Sequence, residues 1–203
     1  MRKVFILGVI GFGMSLNSVV NAQAVEQGKI IINPYYGFPN FGKKFAEGFD
    51  LSSDVTVRGI GPCGLRAEYM VADKFGIGFD FIYNSFSVNG KADSLNTNGT
   101  LYKTYDVKLI ALRMRFQARF NYHFVENDKV DVYLGVGVGH NYRHFRSKTD
   151  YPNYDDESAS GVILPVSARV ALGTTYYFTE NFGLNAEIGL GGPVLSIGAA
   201  LKF

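Results

Sequence analysis

The sequence predicts an all-β chain: an eight-stranded antiparallel up-and-down β-barrel that crosses a membrane. Three observations carry this expectation. From Ile110 to Phe124 the chain alternates without a break, with Ile110, Leu112, Met114, Phe116, Ala118, Phe120, Tyr122 and Phe124 on one face and Arg113, Arg115, Gln117, Arg119, Asn121 and His123 on the other. A period of two over that length is a strand, and an uncharged face opposite three arginines suits lipid on one side and a polar interior on the other. Beyond residue 24 no apolar run is long enough for a spanning helix, so a membrane crossing has to be made by a closed barrel. Finally, tight connections at 72–74, 125–129 and 179–181 alternate with long polar ones at 38–56, 88–104 and 147–160, the rim asymmetry of such barrels.

The remaining strands repeat the pattern. In the first, Ile30, Ile32, Pro34 and Tyr36 oppose Ile31, Asn33 and Tyr35; in the second, Leu65, Ala67, Tyr69 and Val71 oppose Arg66, Glu68 and Met70. Phe75, Ile77, Phe79, Phe81 and Tyr83 face away from Gly76, Gly78, Asp80 and Asn84. After the long strand, Val130, Val132, Leu134, Val136 and Val138 oppose Asp131, Tyr133 and three glycines. The sixth strand sets Val162, Leu164, Val166, Ala168, Val170, Leu172, Tyr176 and Phe178 against Ser167, Arg169, Gly173 and Thr175. The last two run from Phe182 to Leu190 and from Leu195 to Phe203, with Glu187 and Lys202 on their polar faces. Tyr69, Phe75, Tyr122, Phe124, Tyr176, Phe178, Phe182 and Phe203 cluster by the tight turns as an aromatic girdle. A soluble barrel with its apolar face turned inward has the same periodicity; loop asymmetry and the uncharged apolar faces favour the membrane.

Arg2 and Lys3, the apolar stretch Val4–Met14 and the small residues around Ala22-Gln23-Ala24 have the order of an export signal, so residues 1–24 are expected to be cleaved and 25–203 to form the barrel domain. The full chain has 20 basic and 18 acidic residues, and losing Arg2 and Lys3 leaves a net charge of zero, which excludes nucleic acid as a partner. The 24 glycines, 13 tyrosines and 17 phenylalanines fit a β protein with small interior positions and aromatic belts. Cys63 is the one cysteine and reads as a wall residue.

The ending Leu195-Ser-Ile197-Gly-Ala199-Ala-Leu201-Lys-Phe203 resembles the C-terminal assembly signal of Gram-negative outer-membrane proteins. With the export segment and eight strands, the chain is similar to the small outer-membrane barrels of the outer-membrane protein X and opacity type, and to the membrane domain of outer-membrane protein A. The resemblance implies an outer-membrane location, with membrane lipids, lipopolysaccharide and the assembly machinery as partners and Phe203 as the assembly signal. It implies little about activity, since this architecture hosts adhesins, structural proteins and enzymes alike.

Inside such a barrel, a charge network is expected from Arg66, Glu68, Asp80, Arg113, Arg115, Arg119, Asp131, Arg169 and Glu187. Simple turn arithmetic sets Tyr69 opposite Ile77, Arg66 opposite Asp80, His123 opposite Asp131 and Glu187 opposite Gly173. It also sets Arg119, Gln117 and Arg115 against Gly135, Gly137 and Gly139. Eight strands leave an interior just wide enough for side chains, so a packed polar plug is expected rather than an ion path.

No catalytic, cofactor or metal site is expected. The lipid A deacylases among such barrels carry a His-x-Ser pair, and none of His123, His140 or His144 has a serine two residues on. His140 and His144 would stand roughly 13 Å apart on a strand, too far for one ion. Asp150, Asp155, Asp156 and Glu157 lack calcium-loop spacing and read as a solvated acidic loop. The expected function is therefore non-enzymatic: a barrel presenting surface loops for envelope integrity, adhesion or contact with an unidentified surface ligand. A lipid-modifying enzyme and a narrow channel for small solutes are the alternatives.

Overall fold

A computed structural model describes residues 24–48, 55–95, 101–124, 127–151, 156–161 and 165–203. The proposed export segment, except Ala24, lies outside these residues, as do Val162, Leu164 and Asp155. Among the described residues the strands are β1 (Ile30–Phe38), β2 (Thr56–Ala72), β3 (Phe75–Leu95), β4 (Leu101–His123), β5 (Val130–Thr149), β6 (Glu157–Ser160), β7 (Val166–Tyr177), β8 (Phe182–Leu190) and β9 (Leu195–Lys202). Each pairs antiparallel with its neighbours; β4 bonds β5, and β9 returns to β1, so the sheet closes on itself. Eight strands form the ring, because β6 and β7 occupy one position: both pair with β5, β6 alongside its outer half and β7 alongside its inner half.

The alternation sorts inside from outside. Phe79, Phe116, Phe120, Val136, Val170 and Leu184 stand exposed on the wall, whereas Arg66, Asp80, Gln117, Arg119, Arg169 and Glu187 are buried in the lumen. A charged interior behind an apolar outer wall is stable only when the wall meets lipid, so the inward-apolar soluble barrel is excluded. The eight expected girdle aromatics are all exposed, and the rings of Phe75 and Tyr122 meet at a tilt with centroids 5.1 Å apart, those of Tyr176 and Phe178 edge to face at 5.1 Å. Phe203 closes the seam: its N–H donates to the Ile30 carbonyl at 2.9 Å and its own carbonyl accepts from Ile30 at 3.0 Å.

The long connections differ from expectation. Residues 88–95, 101–104 and 147–149, assigned to polar loops at 88–104 and 147–160, continue the ladder, so β3, β4 and β5 reach 21, 23 and 20 residues. A tilted membrane strand needs about 9–11, so these three carry about 10 extra residues each, while β1, β8 and β9, at 9, 9 and 8, do little more than cross. The 38–56 connection contains a short helix, α1 (Phe41–Glu47). Asn40 caps it by accepting from Lys43 N–H at 3.1 Å, and its amide donates to the Ile60 and Ser85 carbonyls at 2.9 and 3.0 Å, tying α1 across the outer mouth to β2 and β3. Pro62, which has no donor, falls where the β2–β3 register shifts between Ile60 and Cys63.

Candidate functional site: the barrel lumen

Strand parity delivers the polar side chains to the lumen, and register decides which of them meet. The β2–β3 and β7–β8 registers follow the simple arithmetic, with Tyr69 opposite Ile77, Arg66 opposite Asp80 and Glu187 opposite Gly173. The β4–β5 register differs from it by two residues. His123 lies opposite Tyr133 rather than Asp131, Arg119 opposite Gly137, Gln117 opposite Gly139, and Arg115 opposite Asn141 rather than a glycine. A shift of two preserves the faces and changes only the partners.

At the inner end, His123 sits between two carboxylates, its Nδ1 2.7 Å from Asp131 Oδ1 and its Nε2 3.0 Å from Glu68 Oε1. A protonated imidazole donates to both at once. Lys202 donates to the Ala24 carbonyl at 3.0 Å and lies over the Tyr177 ring, while Ala24 and Val25 pack with Ile31, Met70, Tyr177 and Ala200 into a small apolar cluster that closes this end.

The centre is organised on Glu187, which is 1% exposed. It accepts from Arg169 at 2.6 and 3.0 Å, from Arg119 at 2.8 Å and from the Tyr133 hydroxyl at 3.0 Å, and Arg66 stands 3.2 Å away. Asp80 takes the Tyr35 hydroxyl at 2.7 Å and Arg66 and Arg119 at 3.4 Å each. Arg66 also donates to Ser196 Oγ at 2.7 Å and Asn185 Oδ1 at 3.2 Å. Three guanidiniums thus share two carboxylates, the pairing that makes buried charge tolerable.

Arg113 and Arg115 depart from the expected network. Neither reaches a carboxylate among the described residues: Arg113 Nε donates to Asn141 Oδ1 at 2.8 Å and Arg115 to the Gly191 carbonyl at 2.6 Å, both at the outer mouth. The sequence reading, in turn, left Tyr35, Tyr133, Asn185 and Lys202 out of the network although each lies on the polar face of its strand. Arg143 was missed because the residues assigned to the fifth strand stop short of it, before the register that faces Arg143 towards Arg113.

Two outer features lie apart from the lumen. Asp156 of the acidic stretch pairs with Arg146 at 3.1 Å and Lys148 at 3.5 Å, exposed bridges of small energetic weight. His144 Nδ1 lies 2.8 Å from Ser160 Oγ, because β5 and β6 set the two opposite each other. The absence of a His-x-Ser motif therefore does not mean the absence of a serine–histidine contact, since this one joins residues 16 apart. Among the described residues no carboxylate orients that imidazole, as a serine triad requires.

The family model described as the outer membrane protein beta-barrel domain matches residues 11–194. No curated protein matches the sequence. Among solved structures, the N-terminal β-barrel domain of Pseudomonas aeruginosa OprF is 13% identical, covering 88% of this chain and 99% of that one at a TM-score of 0.43. The attachment invasion locus protein Ail of Yersinia pestis is 14% identical over 87% and 99%, at 0.40. The outer membrane protein OprG from Pseudomonas aeruginosa is 16% identical over 91% and 99%, at 0.43. The chain belongs to the outer membrane protein β-barrel domain family, and its barrel stands in the outer membrane of a Gram-negative bacterium.

Proposed function

We propose that this protein is a non-enzymatic barrel that holds a tall β-sheet outside the cell for surface interaction, with adhesion or envelope integrity as the outcome. The observation that carries the reading is the unequal height of the wall: β3, β4 and β5 exceed a membrane crossing by about 10 residues each, roughly 30 Å of chain. Rigid scaffolds place their recognition surfaces on such outer elements. The test shortens the β3–β4 hairpin by replacing residues 90–107 with a two-residue turn between the paired Asn89 and Lys108, which leaves the membrane part of both strands in register. Whole cells carrying the short form are expected to lose binding to host-cell or neighbouring-cell surfaces while keeping normal amounts of folded barrel. Equal binding or envelope resistance with either form removes the proposal.

The filled lumen argues against the channel alternative. With Arg66, Asp80, Arg119, Arg169 and Glu187 all buried across the middle, the lumen is expected to be closed to hydrated solutes. Planar-bilayer recordings of the purified protein are expected to show no steady open level, and a large stable conductance would refute the plug.

The Ser160–His144 contact favours a second reading, acyl-ester hydrolysis at the outer rim, with Ser160 as nucleophile and His144 as base. Because no carboxylate among the described residues orients His144, we expect lipid A to be unchanged by the protein. Mass spectrometry of lipid A from cells with the gene, without it and with Ser160→Ala decides the matter. An acyl chain lost only with the unmodified protein would establish the enzyme.

A further inference from the structure

The outer mouth concentrates positive charge that is paired with no carboxylate among the described residues. Arg113 and Arg143 face each other directly across the β4–β5 ladder, and Arg115 follows Arg113 on the same face of β4. Like charges directly opposite in a sheet are unfavourable, and partly buried charges require partners. Every arginine at the centre has a carboxylate, but among the described residues no aspartate or glutamate lines the cavity that contains these three. That cavity of about 210 Å³ lies beneath α1, with Phe41 and Phe86 as apolar walls and Asn84 on its β3 side. The Nε atoms of Arg115 and Arg143 and the Oδ1 of Asn84 are buried without a hydrogen-bond partner.

We infer that this cavity is a binding site for a small oxyanion bearing a hydroxyl, a phosphate or phosphate monoester. Guanidinium forks match the spacing of oxyanion oxygens, so unpaired Nε donors on two arginines supply directional bonds in addition to charge. The orphaned Asn84 acceptor takes the hydroxyl of a protonated phosphate or of its ester. The Phe41 and Phe86 walls lower the local dielectric and strengthen both interactions. A like-charged pair held face to face beneath a capped helix is an arrangement that an anion between the two residues relieves. The phosphate can come free from the outer medium or belong to a lipopolysaccharide headgroup bending into the mouth.

Folded protein in phosphate-free maltoside micelles, with its arginine Nε–Hε signals followed by NMR, is titrated with sodium phosphate and with glycerol phosphate at constant ionic strength. Saturable shifts of the Arg115 and Arg143 signals are expected, with no response to chloride. Arg143→Gln is expected to weaken binding at least tenfold while keeping or raising the folded fraction, because it removes the like-charge pair. A second variant, Asn84→Ala, is expected to weaken binding without changing net charge. In nanodiscs containing lipopolysaccharide and no added phosphate, signals already shifted assign the anion to the lipid, and unshifted signals that respond to added phosphate assign it to the medium. A linear, unsaturable response, or equal affinity in the Arg143→Gln protein, overturns the site.

Discussion

Replacing Glu187 by Gln is expected to destabilise the folded barrel by about 3 to 5 kcal/mol, the cost of stranding buried charge. The residue is the common acceptor of Arg66, Arg119 and Arg169, and the Tyr133 hydroxyl depends on it as well. Without its charge, Arg66 and Arg119 are left with Asp80 alone, and Arg169 with no carboxylate among the described residues. Asp80→Asn is expected to cost less, about 1.5 to 3 kcal/mol, the scale of hydrogen bonds to a charged group. Its arginine contacts are longer, at 3.4 Å, and both arginines retain Glu187. Urea unfolding in lipid vesicles, read from the slower migration of the unfolded form on unheated gels, compares the two. A larger loss for Asp80→Asn would show that the charge network is centred on the wrong carboxylate.

A single methyl group at Gly139 is expected to cost at least about 3 kcal/mol, above ordinary overpacking. A Cβ there would run into the Phe116 carbonyl of β4, and a backbone oxygen within a ladder cannot swing aside as a side chain can. Gly137 lies two residues away on the same strand and the same face, yet its Cβ would find nothing nearer than 3.4 Å. Gly137→Ala is therefore the internal control and is expected to fold almost normally. The same gel assay checks both, and equal behaviour of the two alanine variants would rule out close strand approach at Gly139. The physical point is curvature: closing eight strands into a narrow ring bends them sharply, and inward glycines let the backbones approach where the bend is tightest.

Parity was legible in the sequence, and parity carries most of the fold. Because side chains alternate with a period of two, the composition of each face identified eight ring positions, and the polar residues Arg66, Asp80, Arg119, Arg169 and Glu187 could be assigned to one side without knowing any contact. Short turns were legible too, since two or three polar residues between apolar runs leave few registers, and the β2–β3 pairing follows from them.

Three matters waited for the tertiary structure. Which face points inward is a global property, because alternation is the same for a barrel in lipid and a barrel in water; loop asymmetry and the uncharged apolar faces favoured lipid, and ring closure bears this out by placing Phe116 outside and Gln117 within. The β4–β5 register was open because its connection is longer, and a slip of two residues leaves the pattern unchanged while turning an expected arginine–glycine pairing at Arg115 into an arginine–asparagine one and setting Arg113 against Arg143. Likewise, polar residues at 88–95 and 101–104 read as loop because outside the membrane both faces of a strand meet water and the alternation fades, although the ladder hydrogen bonds continue. The sequence by itself determined which residues share a face, a local consequence of backbone geometry. Which of them touch, and how far the wall rises above the membrane, is set by long-range pairing that no local pattern encodes.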